Sequence, residues 1–270
     1  MKLFTGCDQI IDKVLRVPQN GTTEPCYEQT SALLSMVANR PSFDAHQLVS
    51  QLYDRIESNY LQLAPGRGKN PSQQNWRLEK RIDHSKDAKP EEKLERSIAR
   101  VTDENWTNQM PVSSGLVDSG ARRSGVDLVH KHRDGFDFIE LKVDSNNPLA
   151  AAMQILRYGL VYCLSRQRRK QLGYENKEVF DATSIGLRVL APSSFYEHSR
   201  IGKLDLTWLA RPLDEAVQTI SASTQLEMTF EFLCFSDSFQ IGVSDQTLLL
   251  EIESLTSRFS CLPHRQSNKA

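Results

Sequence analysis

Residues 125–143, GVDLVHKHRDGFDFIELKV, decide how this chain is read. Two apolar runs flank Asp134-Gly135, a dipeptide that favours a two-residue hairpin turn because its residues tolerate positive φ. With those two residues as the turn, Arg133 pairs with Phe136, Lys131 with Phe138, Val129 with Glu140, and Asp127 with Lys142. Side chains alternate along a strand, so Asp127, Val129, Glu140 and Lys142 share one face, while Val126, Leu128, Ile139, Leu141 and Val143 line the other. Asp127 then sits diagonally from Glu140, a spacing of roughly 7–8 Å between Cα atoms. His130 and His132 fall on the face away from Asp127 and are expected to be structural.

Two carboxylates and an ammonium in strands this apolar carry a desolvation cost unless something offsets it. A divalent cation would do so, and hard carboxylate oxygens with no His or Cys beside them suit Mg2+ or Mn2+. Such an ion activates water and neutralises charge on a phosphate, and a neighbouring lysine orients the water or stabilises the transition state. That is the chemistry of phosphodiester hydrolysis. The plainer reading is a solvated strand face with ordinary cross-strand ion pairs. Strongly apolar strands and the buried helix behind them argue that the charged face is not simply a wet surface.

The rest of the chain supplies the setting. Asn147-Pro148 opens a long helix through LAAAMQILRYGLVYCLSRQRRK, 149–170, apolar nearly all round and therefore mostly buried. Upstream, Pro90 and EEKLERSIARV, 91–101, predict a short amphipathic helix with Leu94, Ile98 and Val101 on one stripe, and MPVSSGLVD, 110–118, predicts a strand. Downstream, SIGLRVLAPSSFY, 184–196, reads as a strand, LDLTWLARPLDEAVQTISA, 204–222, as a helix interrupted by Pro212, and LEMTFEFLCFS, 226–236, as another strand. Helix, three strands, helix, strand, helix, strand is the order of an α/β fold with a central mixed sheet flanked by helices. Residues 26–40 and 43–63 have helical spacing, with Leu48, Leu52 and Ile56 along one face. The Pro- and Gly-rich stretches APGRGKNPSQQN, 64–75, and DHSKDAKP, 83–90, read as breaks. The expected organisation is a helical accessory region over 1–85, a core over 86–240, and a C-terminal helix and tail over 241–270.

Composition bounds the remaining possibilities. The 270 residues suffice for one sizeable core; 39% hydrophobic and 25% charged content is that of a globular chain without a membrane-length apolar run. A formal net charge of −1 means that a polyanion would be held by local basic patches or metal ions. Cysteines 7, 26, 163, 234 and 261 form no CxxC pair and read as free thiols. The N-terminus lacks a long apolar segment and a small-residue cleavage site, so a cytoplasmic location is expected.

Asp127 on one strand, Glu140-Leu141-Lys142 on the next, and QILRY, 154–158, on the following helix resemble the signature of the PD-(D/E)xK nuclease superfamily, in its RecB-like branch with QxxxY. The resemblance spans residues 90–235 and leaves the first 85 outside; GVD stands where Pro-Asp is usual. It implies a restriction-endonuclease-like core, with Asp127 and Glu140 as ligands of Mg2+ or Mn2+ and the Leu141 carbonyl as a further ligand. It also implies Lys142 as the water-orienting or charge-stabilising group, and Gln154 and Tyr158 as residues that position metal, water or the scissile strand. A glutamate from the first core helix belongs to the pattern: Glu95, beside Ile98 and Ala99 at helical spacing, is the choice, with Glu91 and Glu92 left open. The implied activity is hydrolysis of DNA, with RNA the nearest variant, in defence, repair or mobile-element biology. A homodimer or a partner ATPase or helicase is the implied company, and the N-terminal region would serve substrate choice, dimerisation or docking. The rival is a catalytically silent member acting as a nucleic-acid-binding or assembly module.

Basic residues and tryptophans are less decisive. Arg166, Arg168 and Arg169 in RQRRK would touch phosphates or merely complement the dipole at the helix end. Arg67, Lys69, Arg122 and Arg123 sit in expected loops and would add phosphate contacts or stay solvated. Trp76, Trp106 and Trp208 would stack bases or fill core.

Overall fold

Helical and alternating patterns build their elements in the expected order in the computed structural model, which describes residues 3–17, 25–62, 71–83, 88–116, 124–143, 147–222 and 224–259. The helices are α1 (Cys7–Val14), α2 (Thr30–Asn39), α3 (Ala45–Leu61), α4 (Pro90–Val101), α5 (Pro148–Gln167), α6 (Arg169–Leu172), α7 (Thr207–Ala222) and α8 (Asp245–Phe259). The strands are β1 (Trp106–Pro111), β2 (Gly125–His132), β3 (Gly135–Leu141), β4 (Ser184–Ala191), β5 (Glu197–His198), β6 (Gly202–Lys203) and β7 (Glu227–Cys234). Among the described residues, β1-β2-β3-β4-β7 form one mixed sheet, antiparallel on the β1–β3 side and parallel from β3 to β7, and β5–β6 is a separate small hairpin. The fold is α/β, a central mixed sheet between helical layers with N-terminal helices added.

Two apolar clusters hold the layers. The larger lies between one sheet face and α1, α2, α3, α5 and α7; the smaller joins Leu94 and Ile98 of α4 to Leu128, Ile139, Leu141, Leu190 and α8 residues Leu248, Ile252 and Leu255 on the other face. Leu48, Leu52 and Ile56 are fully buried in the larger cluster, as their spacing predicts, each stabilising the fold by about 1.5–3 kcal/mol. The helices of the first 85 residues thus share one core with the sheet. Trp76, just past the expected loop 64–75, takes the core role: it is buried against Phe138, Tyr162 and Phe180. On α5, Gly159 lies so close to β4 that a Cβ there would come within 2.7 Å of Leu187 Cδ1. No helix among the described residues is long and apolar enough to cross a membrane.

Two local expectations change. The first strand runs over Trp106–Pro111 rather than 110–118: Pro111 has no N–H to continue the ladder, and Ser113–Leu116 turn back on themselves. In the hairpin, Arg133-Asp134 forms the turn and Gly135 pairs with His132, opening β3. The Asp134 carbonyl accepts the N–H groups of Thr183 and Ser184, which ties the turn to the start of β4, and a Cβ on Gly135 would lie 1.8 Å from the Ser184 carbonyl oxygen. Glycine at 135 is required by close approach of β4, not by the turn. The register moves by two residues, so the alternation survives and Asp127 comes directly opposite Glu140, one step beyond the Leu128–Ile139 pair. Arg67, Lys69, Arg122, Arg123 and Cys261 lie outside the described residues; Cys7, Cys26, Cys163 and Cys234 form no disulfide among the described residues.

Candidate active site

At the end of the β2–β3 ladder the backbone turns. Gln109 of β1, across from Asp127, has φ 50 and interrupts the pairing between Asn108–Leu128 and Met110–Val126. Trp106 and Leu128 point into the smaller cluster, yet Met110 and Val126 point into the larger one. Val126 therefore leaves the face expected for it, because a left-handed residue in a strand re-aims the side chains beyond it. At this level the sheet surface is reached from both layers, by α4 on one side and α5 on the other.

The carboxylates meet there. Glu140 is fully buried and Asp127 half-buried. One Asp127 oxygen, Oδ2, accepts the Leu141 N–H at 2.9 Å, and Glu140 Oε1 accepts from Lys142 Nζ at 2.5 Å. Glu140 Oε2 is buried and no donor among the described residues reaches it; the neighbour it shares is the Asp127 carboxyl. Lys142 Nζ also lies 3.4 Å from Glu91 Oε1. Glu95, 5% exposed, accepts from Asn108 Nδ2 at 2.7 Å and from the Gln109 side chain, and feels the Asp127 charge. Glu92 turns aside to an ion pair with Arg96.

Proton affinities record the crowding. Burial lifts Asp127 to about 6, with Lys142 opposing and Glu91 adding to the rise. Burial and then Asp127 push Glu140 well above the carboxylate range. Glu95 rises to about 8, first through burial and then through Asp127. For Lys142, burial favours the neutral amine, but Glu140, Asp127 and Glu91 outweigh it and hold the ammonium on. Several acids thus face one base in a poorly hydrated place, and either protons or an added cation must balance them.

Gln154 and Tyr158 share this end of α5: Gln154 Nε2 donates to the Tyr158 hydroxyl at 3.4 Å, and burial followed by the charge of Glu140 lifts that phenol to about 12. Phe4 packs 6.3 Å from the Tyr158 ring, while Arg157 binds Asp8 and the Tyr27 hydroxyl at 3.0 and 2.9 Å. The N-terminal region therefore forms a wall beside Tyr158.

The arginine run is elsewhere. Arg166 begins roughly 12 Å further along the helix than Tyr158, and donates to the Ala182 carbonyl and the Tyr162 hydroxyl. Arg168 pairs with Glu57 and lies over the Tyr60 ring, and Arg169 pairs with Asp181. All three have partners within the chain. His130 lies against Asp137, which Arg188 also holds, and stacks with Trp106 on the face of the smaller cluster. Burial raises Asp137, but the His130 hydrogen bond and Arg188 outweigh it and keep the carboxyl below its ordinary range. Trp208 packs edge-on against Phe43.

Sequence reasoning missed Asn108 and Gln109. Two amides in a short strand carry no periodic signal, and their value lies in contacts with a helix that only tertiary packing brings near.

Among the described residues, no three His, Cys, Asp or Glu side chains converge closely enough to cage a metal ion by themselves. Mg2+ does not need such a cage: it takes one or two carboxylates and fills its shell with waters and phosphate oxygens. Asp127 and Glu140, with the unmet Glu140 oxygen, fit that demand. No protein-family model matches the chain, and no curated protein or solved structure matches it.

Proposed function

We propose that the chain is a cytoplasmic metal-dependent nuclease of the PD-(D/E)xK kind, hydrolysing phosphodiester bonds in DNA, with RNA as the nearest variant. One observation carries the reading: two carboxyls face each other at the end of the sheet, one with a buried oxygen that no donor among the described residues meets, beside an ammonium held protonated. Asp127 and Glu140, with the Leu141 carbonyl as a further ligand, would hold Mg2+ or Mn2+. Bound there, the ion would acidify a water and neutralise phosphate charge.

The chain's own groups do the rest. Lys142 keeps its proton at neutral pH, so it acts as a donor that orients water or stabilises charge on the phosphate, not as a base. Tyr158, also protonated, offers its hydroxyl to a phosphate oxygen or water, and Gln154 fixes that hydroxyl. Arg166 donates to the Ala182 carbonyl and Arg168 to Glu57, so a phosphate that uses either arginine would compete with these bonds.

The test is nicking of supercoiled plasmid and cleavage of single-stranded DNA and RNA with Mg2+, Mn2+ or EDTA. Metal-dependent cleavage by the wild type, lost in Glu140→Ala and in Lys142→Ala, is expected. A folded wild type that cuts none of these substrates overturns the reading in favour of a binding or assembly module.

A further inference from the structure

A second concavity lies among the N-terminal helices. Asn59, near the end of α3, donates to the Leu3 and Thr5 carbonyls just before α1, so the two helices run antiparallel and the last turn of α1 comes beside the first turn of α3. Between them is a cavity of about 380 Å3, within the range of small-ligand sites, with Lys13, Arg16, Phe43, Asp44, Gln47 and Gln51 in its lining. It sits at the far end of α1 from Phe4 and Tyr158, a helix length of roughly 12 Å away. Among the described residues neither Lys13 nor Arg16 meets an acidic partner, whereas Arg157, Arg168 and Arg169 pair with Asp8, Glu57 and Asp181. Arg16 follows the end of α1 at φ 55, where glycine is usual and a side chain is strained, so a cation is kept there against the preference of the backbone. Phe43 is half-buried, its ring braced edge-on by Trp208 at 6.1 Å. Asp44 caps α3: its Oδ1 accepts the Gln47 N–H at 2.8 Å, which leaves Oδ2 for another donor. Gln47 and Gln51, four residues apart, put two carboxamides on one face of α3.

We propose that this cavity binds a nucleoside monophosphate. A terminal phosphate carries nearly two negative charges at neutral pH, which Lys13 and Arg16 match, and both side chains donate to phosphate oxygens. Phe43 supplies an aromatic surface for the base, Gln47 and Gln51 supply amide donors and acceptors for its edge, and Asp44 Oδ2 accepts from a sugar hydroxyl. A bare anion would leave the ring and the two amides without a role, and an apolar ligand would leave the two cations without one. The lining shares no residue with the candidate active site, so this binding stands or falls apart from the nuclease reading.

Titration calorimetry of the full-length chain in EDTA measures binding of AMP, GMP, CMP and UMP, with adenosine and inorganic phosphate as partial ligands. EDTA removes any metal that would draw a nucleotide to Asp127 and Glu140. At least one of the four should bind, and more than about 10-fold tighter than either partial ligand, because only the whole nucleotide engages both the cations and the ring. Arg16→Gly and Lys13→Gln should each weaken that binding about 10-fold, the loss of one charge-assisted contact. Arg16→Gly also relieves the strained φ, so its urea midpoint should hold or rise while binding falls; a residue serving only the helix end would not separate the two. Gln51→Leu should change the preference among the four bases. A 5′-phosphorylated oligonucleotide that displaces the nucleotide identifies a strand end as its source, and one that does not identifies the free nucleotide; both support the site. A folded wild type that binds none of the four overturns the proposal. So does inorganic phosphate bound as tightly as a nucleotide, or an affinity unchanged in Arg16→Gly and Lys13→Gln.

Discussion

Replacing Glu95 by Gln should make the metal-free protein more stable at neutral pH, against the usual expectation for a buried, hydrogen-bonded residue. Glu95 has an ordinary carboxyl value of 4.5 when unfolded and about 8 when folded. Between those values the native state binds a proton that the unfolded chain has released, so stability falls as pH rises through the window. Two and a half pH units separate 4.5 from neutrality, and about 1.4 kcal/mol per unit gives a cost of about 3 kcal/mol at pH 7. Glutamine carries no such cost. Its carbonyl can keep the Asn108 bond and its NH2 can donate to Asp127. An imperfect amide fit costs about 1 kcal/mol, leaving a net gain of about 2 kcal/mol. Urea unfolding in EDTA at pH 4.5, 6, 7 and 8 should show the two proteins equal, or glutamine slightly worse, at the acid end, with the gap opening in favour of glutamine toward pH 8. A difference that stays constant across this range, or a Gln variant weaker throughout, would refute a carboxyl held neutral by burial beside Asp127. Saturating Mg2+ should narrow the gap, because an ion bound to the wild type stabilises the ionised carboxylates.

Lys142→Met should remove cleavage and lower stability by about 3 kcal/mol at pH 7, since the buried Asp127–Glu140 pair is left without the ammonium that balances its charge. The loss should shrink toward pH 5, where Asp127, at about 6, takes up its proton; unfolding measured at the two values decides this. Gly159→Ala should destabilise by about 1–3 kcal/mol through overlap with Leu187, read from the denaturation midpoint, and an unchanged midpoint would mean that α5 sits further from β4. Arg169→Ala removes only an exposed pair with Asp181 and should leave stability within about 0.5 kcal/mol and nicking unaltered; a strong loss of nicking would place that arginine on the substrate path.

Much of this arrangement is set by local chemistry and is visible in the sequence. The four-residue rhythm of Leu48, Leu52 and Ile56, the proline opening α4 and the Asn147-Pro148 start of α5 act over a few residues. They place their helices without reference to the rest of the chain. The alternation in 125–143 is similarly local: a strand repeats every two residues, so a turn misplaced by one step at each end still leaves Asp127 and Glu140 side by side. What needed the tertiary structure was whatever depends on a second element's position. Gly135 looks like a turn residue until β4 arrives against it, and the Arg166–Arg169 cations look available until Ala182, Glu57 and Asp181 meet them. Asn108 and Gln109 acquire a role only because α4 lies across β1 and delivers Glu95 to them. Spacing along the chain encodes which face a side chain takes, whereas contact across elements depends on packing between distant segments, which no short stretch of residues contains.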